Sequence, residues 1–160
     1  MRDAEIEEQS PEIPCLIVPM MNRPLLVPNA SVAEVITYAK IRKVSGAPLW
    51  CLGIVEWRHI FLSLVSIEGL NDFPIVEPDL RSRILIMNGI MGDPRLPFYA
   101  VMVHGIARSI RIKETDILYE KTESGHVDLM NVNVLGDPLV VPDLDRIEQE
   151  IIAYQSSAAS

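Results

Sequence analysis

Aromatic residues make up only 6% of this 160-residue chain. A barrel that binds nucleic acid stacks bases on exposed rings, and so few rings leave little to stack on. No apolar run approaches the ~20 residues that a transmembrane helix needs. The first residues, MRDAEIEEQSPEIP, lack the basic region and apolar core of a signal peptide. A cytoplasmic location with no membrane insertion is the expectation. Cysteine is scarce too. Cys15 and Cys51 each stand beside apolar residues, without a CxxC spacing. They read as reduced, buried thiols, not as a disulfide or a metal pair.

Catalytic signatures are also missing. There is no GxSxG, no HExxH and no glycine-rich phosphate loop. The three histidines, His59, His104 and His126, are scattered. His104, inside VMVHGIA, reads as a histidine hydrogen-bonded at a strand end, which is commoner than a catalytic one. No catalytic residue, cofactor or metal is expected.

Positive charge is in the minority. The formal net charge is -8, and its distribution matters more than its sum. Residues 1–14 carry five carboxylates and one arginine, and residues 143–150 carry four carboxylates and one arginine. The body between them is nearly neutral. Phosphate-backbone binding needs a basic face, so nucleic acid is not an expected partner and a protein surface is. Arg108, Arg111 and Lys113 read as a basic patch on one barrel, and a solvated strand face is the commoner meaning of such a run.

What the chain does have is short apolar runs and frequent turns. Of its residues 49% are hydrophobic and 22% charged, which fits a folded globular protein. Residues 1–12 read as an acidic flexible tail, and CLIVPMMNRPLLVPN as two strands about a turn. Ser31 is placed to cap a short helix, SVAEVIT, with Glu34 as its capping-box partner. Lys40–Val44 alternates like a half-exposed strand. Strands are predicted at Cys51–Val55, Ile60–Val65, Arg83–Met87, Phe98–Val103, Ile106–Ile112, Val127–Leu135 and Leu139–Val141. Asn71–Ser82 and residues 89–97 read as loops. Asp143 caps a last helix whose Leu144, Ile147, Ile151 and Tyr154 share a face, and residues 153–160 read as a frayed tail. About ten strands in this length suit two five-stranded barrels better than one large one.

One stretch is richer than the rest. In APLWCLGIVEWRHIFLSLVSI two apolar strands meet at a tight turn that presents one arginine. This segment resembles the centre of CheW-like domains, the coupling modules of bacterial chemotaxis. Pro48, Gly53, Ile54, Val55 and Arg58 stand where that family has its proline and its G-V-I-N-L-R-G strand. Val32, Glu34 and Val35 match an earlier V-x-E-[IV], residues 101–106 match a V-V-D-x-V less well, and residues 136–147 match the closing segment. The likeness spans residues 13–152.

The resemblance implies a single domain of two intertwined five-stranded SH3-like β-barrels with a short helix in the N-terminal half and a C-terminal helix. It implies a non-catalytic adaptor joining a methyl-accepting chemoreceptor to the regulatory domain of a histidine kinase. Its partner-binding residues would be Arg58, Glu34, Val32, Val55, Trp57 and His59, with Val32 and Val55 lining an apolar groove. Four positions depart from the family pattern: His59 for Gly, Ser63 for Pro, Ser66 for Asp and His104 for Asp. They point to an accessory coupler, of the kind that serves type IV pilus and twitching systems. Oligomeric state stays open. So do a ligand-binding barrel for oligosaccharide or nucleic acid, and a small β-barrel enzyme.

Overall fold

The computed structural model describes residues 11–37, 39–122 and 124–158. Eleven strands form among them: β1 (Ile13–Val18), β2 (Leu25–Pro28), β3 (Val32–Ile36), β4 (Cys51–Trp57), β5 (Ile60–Val65), β6 (Arg83–Asn88), β7 (Phe98–Val103), β8 (Arg108–Ile112), β9 (Ile117–Glu120), β10 (Asp128–Val134) and β11 (Asp137–Pro142). Two α-helices join them, α1 (Ile67–Leu70) and α2 (Leu144–Ala158). The strands pair into two mixed sheets, β8-β1-β2-β11-β10-β9 and β3-β6-β7-β5-β4. The chain begins in the first sheet, leaves it for the second, and returns, so the two are intertwined. Only the β11–β2 and β5–β7 pairs are parallel.

Three apolar clusters explain why the runs are where they are. Val55, Trp57, Leu62, Leu64, Ile84, Ile86, Ala100 and Met102 fill the five-stranded barrel-like sheet. Cys15, Ile17, Leu26, Val132, Val134 and Leu139 fill the six-stranded one. The third cluster lies between the sheets and under α2, with Leu85, Met87, Val101 and Val103 among its members. Strands β6 and β7 are therefore buried on both faces, which makes them continuous apolar runs instead of alternating ones. Helix α2 starts at Asp143, whose Oδ1 accepts the Arg146 amide. It is held by Ile147 and Ile151, both fully buried and each worth ~1.5–3 kcal/mol.

Four expectations need correction. The predicted helix at Ser31–Thr37 is instead a 3-10 turn, Asn29–Ser31, followed by β3, which pairs with β6. Val32, Val35 and Ile36 are β-branched, and an edge of β6 was open to them, so tertiary pairing beat a one-turn helical preference. The short helix of the N-terminal half is α1, where the Ser66 hydroxyl accepts the Gly69 amide at 3.0 Å. Second, the first sheet has six strands, not five. The extra one, β9, is an edge strand with Leu118 and Tyr119 exposed, so its sequence carries no burial pattern. Third, Lys40–Val44 shortens to a single bridge. Arg42 and Ile54 exchange backbone bonds of 2.9 and 2.8 Å, and this closes the seam between the end of β3 and β4. Gly53 permits that approach, because a Cβ there would lie 2.5 Å from the Arg42 carbonyl oxygen. Fourth, α2 runs to Ala158, so residues 153–158 are helical, not frayed. Residues 1–10 of the acidic tail and residues 159–160 lie outside the described residues.

Candidate functional site

The β4–β5 hairpin turns on two residues, Arg58 and His59. Both have positive φ, 47° and 66°. That is the signature of a type I′ turn, whose twist matches the strands it joins and which normally takes Asn-Gly. Filling it with Arg-His costs backbone energy at both positions. His59 has no compensating burial. Its side chain is fully exposed, and its Nδ1 lies 4.0 Å from Glu56. We therefore expect His59→Gly to raise stability by ~0.5–1 kcal/mol in chemical denaturation, the left-handed penalty less the added entropy of glycine in the unfolded chain. A loss of stability would show that the imidazole holds the turn.

Arg58 is ordered by its neighbours. Its guanidinium carbon lies 4.9 Å from the centroid of the Trp57 ring. One nitrogen lies 3.7 Å from Glu34 Oε1. The other oxygen of Glu34 accepts a short hydrogen bond from Trp57 Nε1. Trp57 is itself buried, edge-on to Phe98 at 5.0 Å. One carboxylate on β3 thus satisfies the buried indole and orients the exposed arginine, and it spans the seam that Arg42 closes. The exposed ion pair contributes ~0–1 kcal/mol to stability, and the cation–π contact about as much. The chemistry of the assembly is recognition: a planar donor fork held out from a rigid turn.

The structure brings Glu34, Trp57 and Arg58 together, and leaves the His59 side chain next to them on the turn but reaching only toward Glu56. It does not place Val32 and Val55 as walls of a groove. Val55 is 1% exposed inside the five-stranded sheet, because odd residues of β4 point inward there. Val32 is half-buried against the core between the sheets. The apolar residues that do reach the surface beside the turn are Ile60 and Phe61, at 39% and 64% exposed. Hairpin register carried that signal, since Phe61 faces the exposed Glu56.

Three of the four departures from the family pattern turn inward. Ser66 caps α1 as an aspartate would. The Ser63 hydroxyl accepts a bond of 3.1 Å from Gln155 on α2. His104 Nε2 lies 3.4 Å from the buried Glu68. Only His59 faces solvent.

A polar cleft of about 250 Å³ beside α1 is lined by Glu68, Asn71 and Asp128 among others. These hold the fold together: Asn71 donates to Asp128 at 2.9 Å and accepts the Val127 amide at 2.8 Å. Among the described residues no three His, Cys, Asp or Glu side chains gather as a metal site. Cys15 and Cys51 are buried free thiols, and burial pushes both up from the ordinary thiol value. No described helix is long and apolar enough to cross a membrane.

Comparison with known proteins agrees with this architecture. A family model described as CheW-like domain matches residues 14–151. The solved structure of the scaffolding protein TtCheW from Thermoanaerobacter tengcongensis superposes with a TM-score of 0.70 at 14% identity. The superposition covers 82% of this chain and 89% of that one. Among curated proteins, none matches the sequence.

Proposed function

The chain belongs to the CheW-like domain family, and from that premise we infer which partners it joins and through which residues. Members of the family are non-catalytic scaffolds, so this chain is a chemotaxis coupling adaptor and not an enzyme. Our proposal is that it links a methyl-accepting chemoreceptor to the regulatory domain of a histidine kinase. Residues 13–152 would act as one unit for this. The partner would be met at the β4–β5 turn. The observation that carries this reading is the Glu34–Trp57–Arg58 assembly, where a carboxylate and an indole are arranged around one exposed arginine. Structural economy explains the indole bond. It does not explain an arginine kept 70% exposed on a strained turn.

The test is a pull-down from the host's chemosensory receptors and kinases, followed by kinase autophosphorylation with and without the adaptor. We expect one receptor–kinase set to bind and its autophosphorylation to change. Turnover of ATP by this chain alone, or no binding to any of these kinases and receptors, would overturn the reading. The accessory role rests on His59, the departure that faces solvent. A coupler with bulk where the family has glycine should serve its own receptor set, for which a pilus system is our candidate. It should substitute poorly for a flagellar coupler. Full rescue of swimming chemotaxis in a strain lacking its coupler would remove that part of the proposal.

A further inference from the structure

We propose that the outer edge of β4 is a second docking site, which takes an extended acidic segment of a partner protein as an added strand. The site adjoins Arg58 and shares its cleft, but it rests on the Glu56 backbone and on Lys40 and Arg42, and it stands or falls apart from the kinase and receptor reading.

The edge is open. Ile54 turns its amide and carbonyl away from β5 to bond Arg42. Backbone direction in a strand repeats every second residue, so Glu56 turns the same way. The chain opposite it, at Ala39 and Lys40, forms no strand, and the described residues supply no backbone partner for Glu56 on that side. Between that run and β4 lies a cleft of about 410 Å³, lined by Lys40, Arg42, Glu56, Arg58, His59 and Phe61.

The occupant follows from charge. The chain as a whole is strongly acidic, yet this cleft gathers three permanent cations against one carboxylate. Arg58 is engaged by Glu34, whereas Lys40 and Arg42 make no ion pair among the described residues. Arg42 lies instead over the exposed Phe61 ring, 5.8 Å from its centroid. A free amide and carbonyl, two cations without a carboxylate partner among the described residues and an exposed ring are the recognition elements for strand addition by a segment with alternating carboxylates and apolar residues. A second copy of this chain is disfavoured by mutual repulsion of two acidic bodies.

The probe is a fluorescein-labelled peptide of alternating glutamate and valine, with a lysine-for-glutamate counterpart as control. Anisotropy at low salt should show saturable binding of the acidic peptide only. Binding should weaken about tenfold or more in the Lys40→Gln, Arg42→Gln double variant, and several-fold in half-molar salt. Amide exchange on the complex should show new protection at Glu56. Melting curves of the double variant confirm its fold, since neither side chain supports the Arg42–Ile54 backbone bridge. No binding, equal binding of the lysine peptide, or binding without protection at Glu56 would each overturn the proposal. A pull-down that captures the receptor and kinase while the acidic peptide fails would leave the adaptor reading standing alone.

Discussion

Arg58→Ala is expected to weaken partner binding by about 2 kcal/mol or more, roughly thirtyfold, as truncating an interface anchor does. Folding should survive it. The side chain is 70% exposed, and its two stabilising contacts are each worth about 1 kcal/mol or less. Calorimetric titration with the partner found by pull-down, beside a melting curve, separates the two effects. Arg58→Lys should recover only part of the loss. An ammonium keeps the charge, but it lacks the fork and does not stack on Trp57 in the same way.

Glu34→Ala should behave differently from both. It frees the arginine to wander and leaves the buried indole N–H of Trp57 without its acceptor. Binding should therefore fall less than for Arg58→Ala, while stability falls by ~1 kcal/mol or more. If calorimetry finds unchanged affinity for Arg58→Ala, the adaptor surface lies elsewhere on the molecule.

The strands flanking this turn were legible because their burial writes a pattern. Val55, Leu62 and Leu64 face one core in period two, and β6 and β7 face two cores and so read as unbroken runs. The terminal helix was legible through Asp143 and the spacing of Ile147 and Ile151. Short segments with partners far away in sequence were harder. Val32–Ile36 looks helical by itself and becomes a strand only because β6, some fifty residues on, offers it an edge. β9 is hard to read for the opposite reason: Leu118 and Tyr119 are apolar yet exposed at the sheet edge, so its apolar residues do not alternate with burial.

The same distinction governs the candidate site. Glu34, Trp57 and Arg58 are all legible through the family likeness, but Glu34 reads as a helix residue, and the bond from the indole to its carboxylate cannot be read from spacing. Val32 and Val55 were misplaced because apolar character does not say which of two faces a strand residue takes. A one-residue change of phase moves it from surface to core. Lys40 and Arg42 lie in an irregular run whose closeness to β4 depends on the single bridge at Ile54.

Glu148→Ala should be strongly destabilising, though the residue is charged and lies away from the turn. This carboxylate is only 1% exposed, on the core side of α2. It accepts the amides of Ile90 and Met91, at 3.2 and 3.1 Å, and so fixes the start of the glycine- and proline-rich loop after β6. Truncation would strand two donors and open a cavity, at ~2–4 kcal/mol and a fall in melting temperature of roughly 5–15 °C. Its titration gives a second readout. Burial pushes the Glu148 carboxyl above its ordinary 4.5, and Asp145 adds to this, while the two loop amides pull it down. A carboxyl whose pKa is raised on folding binds its proton more tightly in the folded state. Its stabilising proton linkage is fully present below 4.5 and is lost as pH rises through the folded value. Glu148→Gln keeps an acceptor for the loop but has nothing to titrate. Urea unfolding from pH 4 to pH 8 should therefore show the wild type losing stability relative to Glu148→Gln as pH rises. Glu148→Ala should lie well below both at low pH. Parallel pH profiles for wild type and Glu148→Gln would mean that the charge is already compensated, and that the two amides alone account for this residue.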